Sequence, residues 1–214
     1  MTLPLIVLGA GGHARVLISV LKTLNMDILG ITDLAPAKIG DMINGITVLG
    51  DDDNILHYSP DSIELVNGIG SISSTDKRKT IYEKFKYHGY SFANIIHPSA
   101  IIMDNVQLGE GVQIIAGAIV QTASVIGDNT IINTGAIVDH DCIIGEHVHI
   151  APGAVLSGGV HIGARSHIGT SATVIQGVKI GCNTIVCAGA VVIEDIPSGV
   201  KALGIPAKLI ERRE

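Results

Sequence analysis

From residue 102 to residue 192, every position divisible by six is Ile, Val or Leu, an unbroken series that starts at Ile102 and ends at Val192. A helix, with its period near 3.6, cannot hold such a series on one side, whereas short strands joined by bends can. Two residues before each member stands a small or β-branched side chain, from Ala100 to Ala190. Gly109, Gly127, Gly145, Gly163 and Gly181 add a slower period of eighteen, or three hexads. Each full turn of the chain thus holds three strands and three bends, which describes a triangular parallel β-helix. Its interior is filled by the hexad residues, and chemistry is left to the outward positions.

Composition narrows the partners. With 14 basic and 20 acidic residues, a net charge of -6 and no basic block, the chain suits neither nucleic acid nor an anionic membrane. Twenty-six glycines and 3% aromatics fit thin coils with tight bends. Three cysteines cannot all pair, and Cys142 falls on an interior position, so reduced thiols in the cytoplasm are expected. The apolar run Leu3 to Ala10 is too short for a membrane span and has no basic leader, so no export signal is read.

The first ninety or so residues keep a different rhythm, and the change near His97-Pro98 predicts two domains, 1–97 and 98–214, the second ending in a C-terminal tail. In the first, Leu5 to Leu8 reads as a buried strand, Gly9-Ala10-Gly11-Gly12 as a turn, and His13 to Leu24 as a helix. Val16, Leu17, Val20, Leu21 and Leu24 are expected on its buried face. Met26 to Thr32, Ile63 to Ile69 and Ser91 to Ile96 read as further strands, and a second helix is expected from about Thr75 to His88. Alternating strands and helices argue for a small parallel α/β sheet of Rossmann-like type.

Gly9, Gly11 and Ala14 satisfy G-x-G-x-x-G/A, and Asp33 follows where an acid can meet a ribose hydroxyl. Gly9, Gly11, Gly12 and His13, at a strand-to-helix turn, offer backbone N–H groups to a phosphate. Any tight turn of this kind can also use glycine for geometry alone. A full dinucleotide domain needs roughly twice this length, so a nucleotide-sugar fits better than NAD.

The hexad run resembles the hexapeptide-repeat acyltransferases, which implies a left-handed coil, a homotrimer and an acyl-coenzyme A donor. Four further stretches sharpen the likeness: Gly9-Ala10-Gly11-Gly12-His13-Ala14-Arg15, Ile95 to Ala100, Asn133 to Cys142, and Gly204-Ile205-Pro206-Ala207-Lys208. Together they resemble the sialic acid O-acetyltransferase and nucleotide-4-amino-sugar N-acetyltransferase type. The implied reaction is acetyl transfer from acetyl-CoA to the C4 amine of a nucleotide-linked amino-dideoxy sugar, UDP-linked first and dTDP- or GDP-linked next, in glycan or O-antigen synthesis. The alternative is a hydroxyl acceptor such as sialic acid. A trimeric β-helix without acyltransferase activity is more remote, since it gives the N-terminal domain no use.

Such a transfer needs a base, donors for the thioester oxygen and a slot for pantetheine. His140 lies at a bend two residues past interior Val138, flanked by Asp139 and Asp141. In the resembling enzymes this histidine is the base, with an acid such as Asp141 to orient it. His149 lies half a coil further on, outward in mid-strand, so the two histidines of one chain face opposite sides of the prism. A site using both draws them from different subunits. Asn133 and His149 match positions that help hold the acetyl donor, and Gly158, one coil after His140, matches a glycine whose N–H faces the thioester oxygen; bend geometry alone also explains a glycine there. His167 stacks on His149 and reads as groove lining, while His147 and His161 equally suit solvent. No ligand spacing supports a metal site, and none is expected.

Overall fold

The computed structural model describes residues 3–35, 39–71 and 74–210. They form two compact units, Met1–Gly70 with Lys77–Ile95, and Ser71–Asp76 with Ile96–Glu214.

The first unit runs β1 (Leu5–Leu8), α1 (Gly12–Thr23), β2 (Ile28–Thr32), β3 (Met42–Ile43), β4 (Ile46–Gly50), β5 (Glu64–Asn67) and α2 (Asp76–Tyr87). The sheet order is β3-β4-β2-β1-β5, parallel except for β3. Ile6 and Leu8 point to a cluster with Tyr82, Phe85 and Tyr90, while Val7 alternates to the other side. The strand expected over Ser91 to Ile96 shrinks to one bridge, Leu65 to Phe92, and a two-residue strand at Ile95–Ile96.

Two features of this unit differ from expectation. The α1 face that is buried carries Ala14, Leu17, Ile18, Val20 and Leu21, whereas Val16 and Leu24 are 40% and 36% exposed. Close approach of helix to sheet selects a small residue: a Cβ built on Gly68 would lie 2.8 Å from that of Ala14 and 3.0 Å from Val7 Cγ1. The hairpin β3–β4 was not anticipated either. It turns on Asn44 (φ 47) and Gly45 (φ 74), and an Asn-Gly pair is the usual choice where both central residues need positive φ.

The second unit is a left-handed parallel β-helix. Two-residue strands from Ile101–Ile102 to Thr173–Val174 each pair with the strand eighteen residues on, as in Ile119 to Ile137, Val125 to Ile143 and Ile131 to His149. Three parallel faces result. The first carries Ile101, Ile119, Ile137, Val155, Thr173 and Val191 outward, the second runs through Val125, Ile143 and His161, and the third through Ile131, His149, His167 and Ile185. The hexad residues and the small residues before them fill the interior, with Val120, Ile132, Val138, Leu156 and Val174 fully buried. Ser124, Thr130, Ser166 and Thr184 occupy the same small slots, and each hydroxyl donates to a backbone carbonyl across the coil, as Ser124 does to Asp139 at 2.8 Å. Polar groups are thereby tolerated in an apolar core. Beyond the prism, Lys201–Leu203 and Lys208–Ile210 form an antiparallel hairpin. The last part of the expected tail, residues 211–214, lies outside the described residues. No described helix is long and apolar enough to cross a membrane.

Candidate active site

His140 stands at the bend between the first and second faces, half exposed. Asp141 takes a left-handed backbone (φ 57), which an aspartate tolerates and which turns the corner. Its Oδ2 lies 2.7 Å from His140 Nδ1, and the His140 amide donates to Asp139 Oδ1 at 2.7 Å. The hydrogen bond to Asp141 raises the His140 pKa above the ordinary imidazole value; the charge of Asp139 adds to this, and partial desolvation opposes it. One coil on, the ring rests against Gly158, where a Cβ would lie 2.5 Å from both Cε1 and Nε2. Gly158 has no left-handed φ, so the imidazole above it requires a glycine there. His140, Asp141 and Gly158 are thus brought together.

The remaining prism candidates gather on the third face, opposite that corner. Asn133 Nδ2 lies 2.9 Å from His149 Nε2, and Asn133 Oδ1 accepts from the Thr134 amide at 2.8 Å. His149 and His167 are ladder partners, their rings crossed at 87° with centroids 4.9 Å apart. Both are buried, at 5% and 8% exposure, and desolvation lowers the His167 pKa. Beside them runs a groove of about 410 Å³, lined by Ala151, Gly169, Cys187 and Lys201 among others.

One residue of this face carried no sequence signal. Ser71 Oγ lies 2.7 Å from His149 Nδ1 and 3.3 Å from His167 Nδ1. It is a single serine outside any repeat, and only its hydrogen bonds to the two histidines reveal it. His147 also departs from expectation. It is 3% exposed and sits 2.9 Å from Asn129 Nδ2, so it is a buried, hydrogen-bonded ring that solvent does not reach.

In the first unit, the turn after β1 and the Gly68–Gly70 segment after β5 lie side by side at the carboxyl ends of neighbouring strands, where the order of an open α/β sheet reverses and ligands bind. Gly9 (φ 88) is needed for the turn itself. Gly11 and Gly12 are different, for a Cβ on either meets nothing within 4 Å. The first turn of α1 has no side-chain cap and no acidic residue, leaving its positive end toward the open side. Asp33 braces this loop: Oδ2 accepts from the Ala10 amide and Oδ1 from the Ala35 amide, both at 2.9 Å. His13 stands beside Gly70, whose built Cβ would lie 3.2 Å from the His13 Cβ. Among the described residues there is no group of three or more His, Cys, Asp or Glu placed to hold a metal ion.

Residues 4–85 match the PglD N-terminal domain family and residues 123–158 the bacterial transferase hexapeptide (six repeats) family. No curated protein sequence matches the chain. Among solved structures it is similar to perosamine N-acetyltransferase from Caulobacter crescentus, a histidine-to-asparagine variant in complex with CoA and GDP-perosamine. The two are 40% identical with a TM-score of 0.91, over 98% of this chain and 97% of that one. The acetyltransferase domain of PglB from Neisseria gonorrhoeae, in complex with acetyl coenzyme A, is 35% identical with a TM-score of 0.90, over 98% of this chain and 100% of that one. WeeI from Acinetobacter baumannii is 26% identical with a TM-score of 0.87, over 98% of this chain and 100% of that one. With an α/β unit of the PglD kind, a left-handed hexad prism and such identity along nearly its whole length, the chain belongs to the hexapeptide-repeat acetyltransferases of the nucleotide-amino-sugar type.

Proposed function

We propose that the chain transfers the acetyl group of acetyl-CoA to the C4 amine of a nucleotide-linked amino-dideoxy sugar, with His140 as general base. The observation that carries this reading is the His140 corner. Asp141 takes up Nδ1–H, leaving the Nε2 lone pair of the neutral ring to receive a proton. As the amine nitrogen attacks the thioester carbonyl, Nε2 takes its proton, the C–N bond forms and the C–S bond breaks. The proton then passes to the departing thiolate. The Gly158 amide, one coil on, donates to the carbonyl oxygen as its charge develops.

Asn133, His149 and His167 hold the donor on the third face. From His149 through His167 and Ile185 to Lys201 the groove climbs three coils, on the order of 14 Å at the spacing of neighbouring strands, enough for an extended pantetheine arm. Because the base and the donor groove lie on opposite sides of one prism, each site joins His140 of one subunit to Asn133 and His149 of another in a homotrimer. The outward residues Ile101, Ile119, Ile137 and Val155 support this, as an apolar strip on the first face that borders the His140 corner.

Gly9, Gly11, Gly12 and His13 receive the nucleotide, with Asp33 beside the turn to meet a ribose hydroxyl. UDP- and GDP-linked sugars are both candidates: the first by the original resemblance, the second because the similar perosamine enzyme was crystallised with GDP-perosamine. Acetyl-CoA and nucleotide sugars place the reaction in the cytoplasm. The test is incubation of the purified protein with acetyl-CoA and UDP-, dTDP- and GDP-linked 4-amino sugars, beside free and CMP-linked sialic acids, following thiol release. Turnover of a nucleotide 4-amino sugar is expected; turnover of sialic acids alone overturns the proposal.

A further inference from the structure

Four polar side chains at the third face, Asn133, His149, Ser71 and His167, form one directed chain of hydrogen bonds, and its direction can be read from a backbone amide. The Thr134 N–H donates to Asn133 Oδ1 at 2.8 Å, which fixes the amide so that Nδ2 faces His149. Nδ2 only donates, so His149 Nε2 must accept, and the proton of the neutral ring sits on Nδ1. His149 Nδ1–H then donates to Ser71 Oγ at 2.7 Å. A serine hydroxyl has one proton, and with its oxygen accepting from His149 that proton is left for His167 Nδ1, 3.3 Å away. A neutral imidazole favours no such order by itself, since either nitrogen can carry the proton.

We infer that Ser71 is a positioning residue which, between the two stacked histidines, holds His149 as the Nδ1–H tautomer and so keeps Asn133 and His149 in one fixed orientation. Without the hydroxyl, the Nδ1 proton of His149 loses its acceptor in a buried setting. The Nε2–H form then competes. It sets an N–H of the ring against an N–H of Asn133, so the amide must turn and give up its bond from Thr134. The serine acts through His149 and makes no hydrogen bond to His140 of its own chain.

The tautomer stands on hydrogen-bond geometry alone; its kinetic consequence rests on the donor-groove reading proposed above. NMR of protein labelled in its histidine ring nitrogens, with the His149 signals assigned by their loss in His149→Ala, reads the tautomer directly. Wild-type His149 is expected to be protonated at Nδ1 near neutral pH. Ser71→Ala should shift it toward Nε2–H, and Ser71→Thr should restore the wild-type pattern. Asn133→Asp, which keeps the serine but sets an acceptor opposite Nε2, should drive the proton to Nε2. In kinetics, Ser71→Ala should raise KM for acetyl-CoA roughly three- to tenfold, the worth of one net hydrogen bond, with kcat and the acceptor KM near wild type. A wild-type ring protonated at Nε2, or a tautomer indifferent to Ser71→Ala, overturns the inference; a tautomer that answers only to Asn133→Asp assigns its control to the amide instead of the serine. A tautomer that shifts while KM for acetyl-CoA stays constant supports the role of Ser71 and overturns the donor-groove reading instead.

Discussion

The imidazole of His140 rests on the bare Cα of Gly158, one coil further along the prism: a single methyl group there would come within 2.5 Å of Cε1 and Nε2. Since the Gly158 backbone itself accommodates alanine, Gly158→Ala should fold and melt nearly as the wild type while pushing the ring aside. A displaced base costs on the order of 10²-fold in kcat. Steady-state kinetics beside a thermal melt checks this; full activity in a folded Gly158→Ala protein would detach the glycine from the base.

His140→Ala should lose about 10²–10⁴-fold in kcat, with acetyl-CoA affinity retained. A finer test is the pH profile. Asp141 raises the His140 pKa, and a base works deprotonated, so kcat/KM should climb through a limb lying above the ordinary imidazole range. Asp141→Asn removes the main cause, and that limb should move to lower pH. A limb that stays in place would mean another group titrates.

The glycine turn invites a contrast. Nothing lies within 4 Å of a Cβ on Gly11, whereas one on Gly9 meets Ile69 Cγ1 at 3.3 Å in a left-handed backbone. Gly11→Val should therefore leave stability unchanged and raise KM for the sugar nucleotide alone, and Gly9→Val should destabilise the fold. Equal rises in both substrate constants for Gly11→Val would assign the turn to folding.

His167 bears on stability through protons. Burial depresses its pKa in the folded protein, so below the ordinary value of ~6.5 the unfolded chain binds more protons at this site. Its contribution is intact above that value and is lost as pH falls from there toward the folded pKa. Calorimetric melts of wild type and His167→Asn across this window should show the smaller decline in the variant. Parallel declines would mean the ring is charged when folded.

How far these features were legible from the sequence depends on how often each was repeated. The prism declares itself because every coil restates the same apolar pair, and Ile150, Leu156 and Ile162 lie where the hexad places them. The positions of His140 and His149 on opposite sides followed from their half-coil spacing. On α1, Leu17, Val20 and Leu21 are buried as expected, but the burial of Ala14 in place of Val16 did not follow, because Gly68 lets the helix approach the sheet at Ala14, a tertiary fact that outweighs the larger side chain of Val16. The β3–β4 hairpin is legible in Asn44-Gly45, whose positive φ values mark the turn. Ser71 was not legible, since its partner His149 lies far away in the chain, whereas Asn129 stands one coil before His147 and the eighteen-residue period already sets the two side by side.

A site divided between subunits has one direct test. His140→Ala chains and His149→Ala chains, each inactive alone, are unfolded together, refolded as mixed trimers and assayed. If each interface takes its base corner from one subunit and its donor face from the next, as proposed, random mixing at equal amounts makes about one interface in four carry both intact histidines. The mixed trimers should regain roughly that fraction of wild-type activity. If His149→Ala alone is strongly impaired and trimers verified as mixed recover nothing, base and donor groove belong to the same subunit and the shared site is contradicted.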